Sequence, residues 1–290
     1  MKKRIKRTKN DGFTLVELLI TLCISAFIMT AVYMTYRSQN KSYNCQDQIL
    51  AMQQNIRAGL YIMQREIRMG GYDPTKTAIT TTNAALYTDP PGSSYTPGAA
   101  SISFRMDVTG DPDGDTSDAD EEITYDLLDG DADGNIDDLC RTTGGVMQML
   151  AENIEAIGFA YAYDADGNGR IDTYTDGGGQ VRIIWALDTD ADGDWDNLDT
   201  DNDGFIDNND SPTPGNLSVT ETILGSNTGT AVDENDIRAV RIWMLAINDR
   251  ENNDYFDNNT YIVGNQKIPG LDSLRRRLLS VSVECRNIGL

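Results

Sequence analysis

The 290 residues contain no histidine. That absence removes the commonest general base and metal ligand, and with it most hydrolase, zinc and haem chemistry. Cysteine is scarce: Cys23, Cys45, Cys140 and Cys285 show no C-x-x-C spacing. Cys23 falls inside an apolar run and reads as a small apolar residue. The other three lie beyond that run and, if it spans a membrane with its basic flank inside, would lie outside the cytoplasm, where disulfides persist. A Cys140–Cys285 bridge is one pairing open to them, since sequence alone does not fix connectivity. Positive charge is also short, with 24 Lys and Arg against 46 Asp and Glu and a net charge of -22. So acidic a surface argues against nucleic acid as a partner. Its carboxylates crowd into a few loops, which points to cations instead. No nucleophile with a base beside it can be named, so an enzyme is the poorest reading.

What is present begins at the N-terminus. Lys2, Lys3, Arg4, Lys6, Arg7 and Lys9 form a basic leader, the kind of segment retained on the cytoplasmic side of a bilayer. Residues 13–36 then form an apolar run carrying one charge, Glu17, and about 20 apolar residues suffice to span a hydrocarbon core as a helix. A lone carboxylate there costs about 2.5–3.5 kcal/mol on insertion scales. Glu17 therefore asks for a partner. An ordinary secretory signal has an apolar core of about 7–15 residues, shorter than this run and without its carboxylate.

The order Gly12-Phe13-Thr14-Leu15-Val16-Glu17 resembles the type III signal of type IV prepilins and pseudopilins. The resemblance implies cleavage between Gly12 and Phe13 by a prepilin peptidase and methylation of the new Phe13 terminus. It also implies pairing of Glu17 with the terminal amine of a neighbouring subunit during filament assembly.

No Gly or Pro interrupts the chain from Arg37 to Gly59, and Ile49, Met52, Ile56, Leu60, Met63 and Ile67 recur at helical spacing. They predict one continuous helix with an apolar packing stripe, ended by Gly70-Gly71 and kept from resuming by Asp73-Pro74. Residues 75–100 read as a surface loop rich in turn residues. Six alternating segments then read as strands: 102–106, 123–127, 157–163, 181–187, 240–244 and 279–285. Since no second helical pattern crosses over between them, the fold class is α+β, a long helix packed on an antiparallel sheet. The expected divisions are a leader at 1–12, a membrane helix at 13–36, its amphipathic continuation at 37–71 and a β-rich extracytoplasmic head at 72–290.

Met52-Gln53-Gln54-Asn55-Ile56-Arg57 through Asp73-Pro74, Asn153 to Phe159, and Arg275-Arg276-Arg277 through Asn287 are similar to minor pilins of the PilW type. That likeness implies a single-pass inner-membrane protein that later enters a pilus, near its tip or in an initiating complex. The implied partners are the peptidase, other major and minor pilins, the inner-membrane assembly platform, a tip adhesin and, before assembly, membrane lipid. Two other readings stand beside this one: a calcium-dependent adhesin, and a minor pseudopilin of type II secretion.

The acidic loops set the chain apart from a plain minor pilin. Asp188, Asp190, Asp192, Gly193, Asp196 and Asp199 occupy positions 1, 3, 5, 6, 9 and 12 of a loop, and Asp199 opens a second frame with Asp201, Asp203, Gly204, Asp207 and Asp210. Alternating carboxylates, a glycine at position 6 and a backbone carbonyl at position 7, here Asp194 and Phe205, are the means of surrounding calcium. The shared aspartate resembles thrombospondin type 3 repeats. Less complete frames begin at Asp164 (Asp166, Asn168, Asp172) and at Asp129 (Asp131, Asp133, Asp137). Asp111, Asp113, Asp115 and Glu122, and likewise Asp249, Asn253, Asp254 and Asp257, read as solvated acidic turns.

Overall fold

The computed structural model describes residues 13–79, 84–87, 100–108, 115, 116, 118, 120–210, 222–251 and 254–288. The chain divides into two units, residues 1–50 and 51–290. One helix, α1 (Leu15–Ile67), begins in the first and ends in the second. Its apolar residues from Leu15 to Tyr43 are exposed, while Met52, Ile56, Leu60, Met63 and Ile67 of the second unit are buried in its core. Full burial of side chains of this size contributes about 1.5–3 kcal/mol each. Gly71 ends the helix region with φ of +81°, and its N–H donates to Arg105 O at 2.8 Å.

Among the described residues of the second unit there are two principal antiparallel sheets, where the sequence suggested one. The first is a five-stranded meander of β1 (Leu86–Tyr87), β2 (Ile102–Arg105), β3 (Glu122–Leu128), β4 (Asp138–Thr143) and β5 (Val146–Ala151). The chain then enters β6 (Ile154–Tyr163), the hairpin β7 (Thr173–Thr175) and β8 (Val181–Ile183), β9 (Ala186–Leu187), β10 (Asp194–Asn197), β11 (Ser226–Ala231) and β12 (Ile237–Ile247). A second ribbon, β13 (Thr260–Val263) and β14 (Gln266–Pro269), precedes β15 (Arg276–Glu284). The larger sheet runs β11-β10-β9-β6-β12-β15. The stretch 181–187, read as one strand, is broken at Ile184–Trp185 into β8 and β9, which belong to different sheets.

Residues 51–67 of α1 share one core with both sheets. At Gly59 a side chain would meet Leu139 of β4 at 2.7 Å and Met244 of β12 at 3.5 Å, so glycine permits the close approach. Glu66 adds a polar tie, accepting from Tyr125 Oη at 2.6 Å and Arg141 Nε at 2.8 Å. The Cys140–Cys285 bridge that the sequence left open is absent: all four cysteines are free, Cys140 within the five-stranded sheet and Cys285 just beyond β15 of the other.

Candidate metal loops and the N-terminal helix

Thr14 and Glu17 close the start of α1. Thr14 N and Thr14 Oγ1 donate to Glu17 Oε2 at 3.0 and 2.9 Å, and Glu17 N donates to Thr14 Oγ1 at 3.2 Å. This is a capping box, in which the residue before the helix and the third residue within it satisfy each other's free N–H groups. The T-x-x-E spacing announces it, a signal the reading of Glu17 as a lone charge overlooked. Further along, the hydroxyls of Thr21, Ser25, Thr30 and Thr35 donate to carbonyls three or four residues back. The helix thereby hides its own polar groups and is long and apolar enough to cross a membrane. Phe13 is 82% exposed; Gly12 lies outside the described residues.

The four acidic loops share one backbone design. The first carboxylate accepts from the N–H of the sixth-position glycine: Asp129 from Gly134 at 3.1 Å, Asp164 from Gly169 at 2.9 Å, Asp188 from Gly193 at 3.2 Å and Asp199 from Gly204 at 2.8 Å. Those glycines have φ between +79° and +97°, which a residue with a Cβ adopts only under strain. The fourth position is left-handed too, at Ala132, Gly167, Ala191 and Asn202. Carboxylate oxygens converge within 4.8 Å in three groups: Asp188, Asp190 and Asp192; Asp199, Asp201 and Asp203; and Asp129, Asp131 and Asp138. Each group could hold a metal ion.

Several expected ligands lie elsewhere. Asp138, not Asp137, joins Asp129 and Asp131, because the chain enters β4 there and Asp138 Oδ2 turns back to Gly130 N at 2.9 Å and Asp131 N at 3.1 Å. Asp133 stands outside that group and accepts from Asn135 N at 2.8 Å. Asp194 and Asp196 belong to β10, and Asp196 Oδ2 accepts from Thr189 N and Thr189 Oγ1 at 2.9 and 2.7 Å. Asp210 is fully buried and accepts from Thr200 N at 2.6 Å and Asp207 N at 2.7 Å, while Asp207 accepts from Asn209 N. Asp172 accepts from Ala165 N at 3.0 Å, and Asn168 Nδ2 donates to Asp166 Oδ2 at 2.7 Å. In each loop, then, one carboxylate from the far end fastens the second residue; Asp172, Asp196 and Asp210 do so outside any cluster, whereas Asp138 both fastens Gly130 and joins its cluster. Phe205 turns its ring under the Arg182 guanidinium at 5.7 Å.

Burial, reinforced by neighbouring charges, raises the proton affinity of a few of these carboxyls. Burial pushes Asp199 up to about 6, and the charges of Asp210 and Asp201 add to it against the opposing Gly204 N–H. Asp190 is raised by burial and then by Asp192, Asp196 and Asp188, Asp137 by burial and by Asp138, Asp133, Asp131 and Asp129. Among the described residues no donor reaches the buried Asp188 Oδ1, an oxygen that a cation or a water would satisfy. Trp195, the eighth residue of the first frame, is 1% exposed and stacks on Tyr163 with centroids 5.5 Å apart, anchoring the acidic loop to the core.

Asp257 is corrected outright. It is fully buried, not solvated, and accepts from Asn259 Nδ2 at 2.8 Å and Tyr261 Oη at 2.9 Å, with Arg276 Nη1 3.6 Å away. Arg276 also meets Glu155 and Asp272 at 2.6 and 2.7 Å. Asp111 and Asp113 lie outside the described residues.

Residues 7–33 match the prokaryotic N-terminal methylation motif. The chain is similar in structure to a type IV-like pilin, TTHA1219 from Thermus thermophilus, at 12% identity and a TM-score of 0.37 over 81% of this chain and 97% of that one. No curated protein matches the sequence.

Proposed function

We propose that this chain is a structural subunit of a type IV pilus, a minor pilin of the PilW kind, cut between Gly12 and Phe13 by prepilin peptidase and methylated at Phe13. The observation that carries the reading is the methylation motif at residues 7–33 running into an exposed apolar helix whose one charge through residue 36 is Glu17. Bare apolar helix surface of this extent needs a cover. Inner-membrane lipid supplies it before assembly and the helices of other pilins supply it afterwards. The assembly platform provides the energy; this chain provides packing and the surface of its head. Calcium, held by the three convergent carboxylate groups, neutralises the loops and fixes them. Mass spectrometry of the protein from cells with and without the peptidase tests the processing step. An N-methylphenylalanine terminus that depends on the peptidase is expected, and an intact or differently cut terminus defeats the proposal. Deletion of the chain should abolish pili while secretion persists; the reverse outcome assigns it to a secretion pseudopilus.

A further inference from the structure

In a chain so acidic, Arg241 is a half-buried cation without a carboxylate. Arg241 projects from β12, and among the described residues neither an ion pair nor a side-chain hydrogen bond engages it. Its cross-strand neighbours are small, Ala160 of β6 and Ser282 of β15. The guanidinium instead lies over the rings of Trp243 and Trp185, 4.7 and 5.8 Å from their centroids. Burial lowers its proton affinity, so its charge is held at a cost that an anion would relieve.

Arg241 lines a half-open cleft of about 290 Å³, walled by Tyr174 and Ile183 of the β7–β8 hairpin, Trp185, and Ile206 of the second acidic loop. That volume sits at the small end of ligand sites, which start at about 300 Å³. The other guanidinium of the cleft, Arg182, is already committed to Asp176 at 2.8 Å. One free planar fork suits one carboxylate, which it binds through two parallel N–H groups. A phosphate dianion fits worse, because Asp199 also lines the cleft and the chain carries a net charge of -22. Beside the fork the walls are rings and branched aliphatic carbons, which suit the C–H face of a flat, polar-edged body.

We propose that this cleft binds a single acidic sugar ring of the hexuronate class, its carboxylate on Arg241 and its C–H face on the Trp185 and Tyr174 wall. The site lends the head a specificity for acidic glycans, beyond its part in assembly. It stands on the cleft and Arg241 and not on calcium.

Calorimetric titration of the full chain, held in micelles of a detergent without a sugar headgroup, tests it with sodium glucuronate as probe. Glucuronate should bind, with glucose, acetate, inorganic phosphate and N-acetylglutamate each at least about tenfold weaker. Arg241→Gln should weaken glucuronate by roughly 10- to 100-fold, the effect of removing hydrogen bonds to a charged group, and Arg241→Lys by less, both with an unchanged melting temperature. Absence of glucuronate binding, or binding that Arg241→Gln leaves intact, overturns the site. Acetate or N-acetylglutamate binding as tightly as glucuronate overturns the sugar assignment. Titrations run with calcium and with chelator separate the two proposals: glucuronate binding in both keeps the cleft even if the loops hold no ion.

Discussion

Glu17 is satisfied within its own chain by Thr14, so its carboxylate serves either as a helix cap or as a charge for a neighbouring subunit, and substitution can separate the two. Glutamine completes a capping box as glutamate does, but it carries no charge. If the carboxylate pairs with a methylated amine in the filament, Glu17→Gln and Glu17→Ala should both be inserted and cleaved, and both be poorly incorporated. Incorporation of Glu17→Gln at the normal level, read by immunoblot of sheared pili, would reduce the residue to a cap. Asp73 offers a second residue-scale test. Partial burial opposes its charge, but the N–H groups of Ile79, Lys76 and Ala78 and the Thr75 side chain outweigh that and hold its carboxyl below the ordinary 3.8. A carboxyl depressed by folding stabilises the fold above its unfolded value, and that stability is lost as pH falls through the lower folded value. Asp73→Asn should therefore melt below the unsubstituted chain at pH 7, and the gap should close in scans taken progressively below pH 3.8. A gap independent of pH would mean that shape, not charge, holds the segment.

Glycine decides how one ribbon meets the larger sheet. A side chain at Gly158 of β6 would lie 2.5 Å from Gly264 N and 2.6 Å from Val263 C, backbone atoms of the β13–β14 turn that cannot swing aside as a side chain can. Gly158→Ala should cost about 1–3 kcal/mol by overpacking, visible as a lower urea midpoint. Gly59→Ala, whose nearest neighbour is the mobile tip of Leu139, should cost less. This contact could not be read from the sequence, where Gly158 looks like a weak point in a strand. The long helix and strands β2, β3, β6, β12 and β15 were legible because their apolar residues keep a clean period of 3.6 or 2. Strand β4 was not, since Asp138 ends an acidic frame and Arg141, Thr142 and Thr143 carry no alternation. Nor was β10, whose Asp194 and Asp196 look like loop ligands. The division into two sheets depends on non-local pairings that no local pattern encodes. In the loops, alternation and glycine placed the first three carboxylates of each tandem frame together. The fate of the later ones depended on where β10 begins in the first frame and on backbone N–H groups reaching Asp210 in the second, and the cleft around Arg241 on elements far apart in the chain.

At the scale of the whole molecule, repulsion among clustered carboxylates works against the packing of Trp195 and Tyr163 beneath them, and the balance should move with calcium. An ion present at a hundred times its dissociation constant adds about 2.7 kcal/mol per site if it binds the folded chain alone. A domain of 150–250 residues shifts by about 2–4 °C per kcal/mol, so two occupied tandem sites should raise the melting temperature by roughly 10 °C or more. Calcium is the cation to expect, since it takes six to eight oxygens in flexible geometry, whereas magnesium keeps its waters and meets few carboxylates. Sodium chloride at matched ionic strength controls for plain screening of the net charge of -22, which also stabilises. Asp190→Asn and Asp201→Asn each remove one converging charge from a separate group, so each should remove part of the calcium shift and the pair most of it. Asp249→Asn, more than half exposed and outside the groups, should leave it intact. A shift reproduced by sodium chloride alone, or one insensitive to both cluster substitutions, would make these loops acidic surface, held by hydrogen bonds to their own backbone and by nothing else.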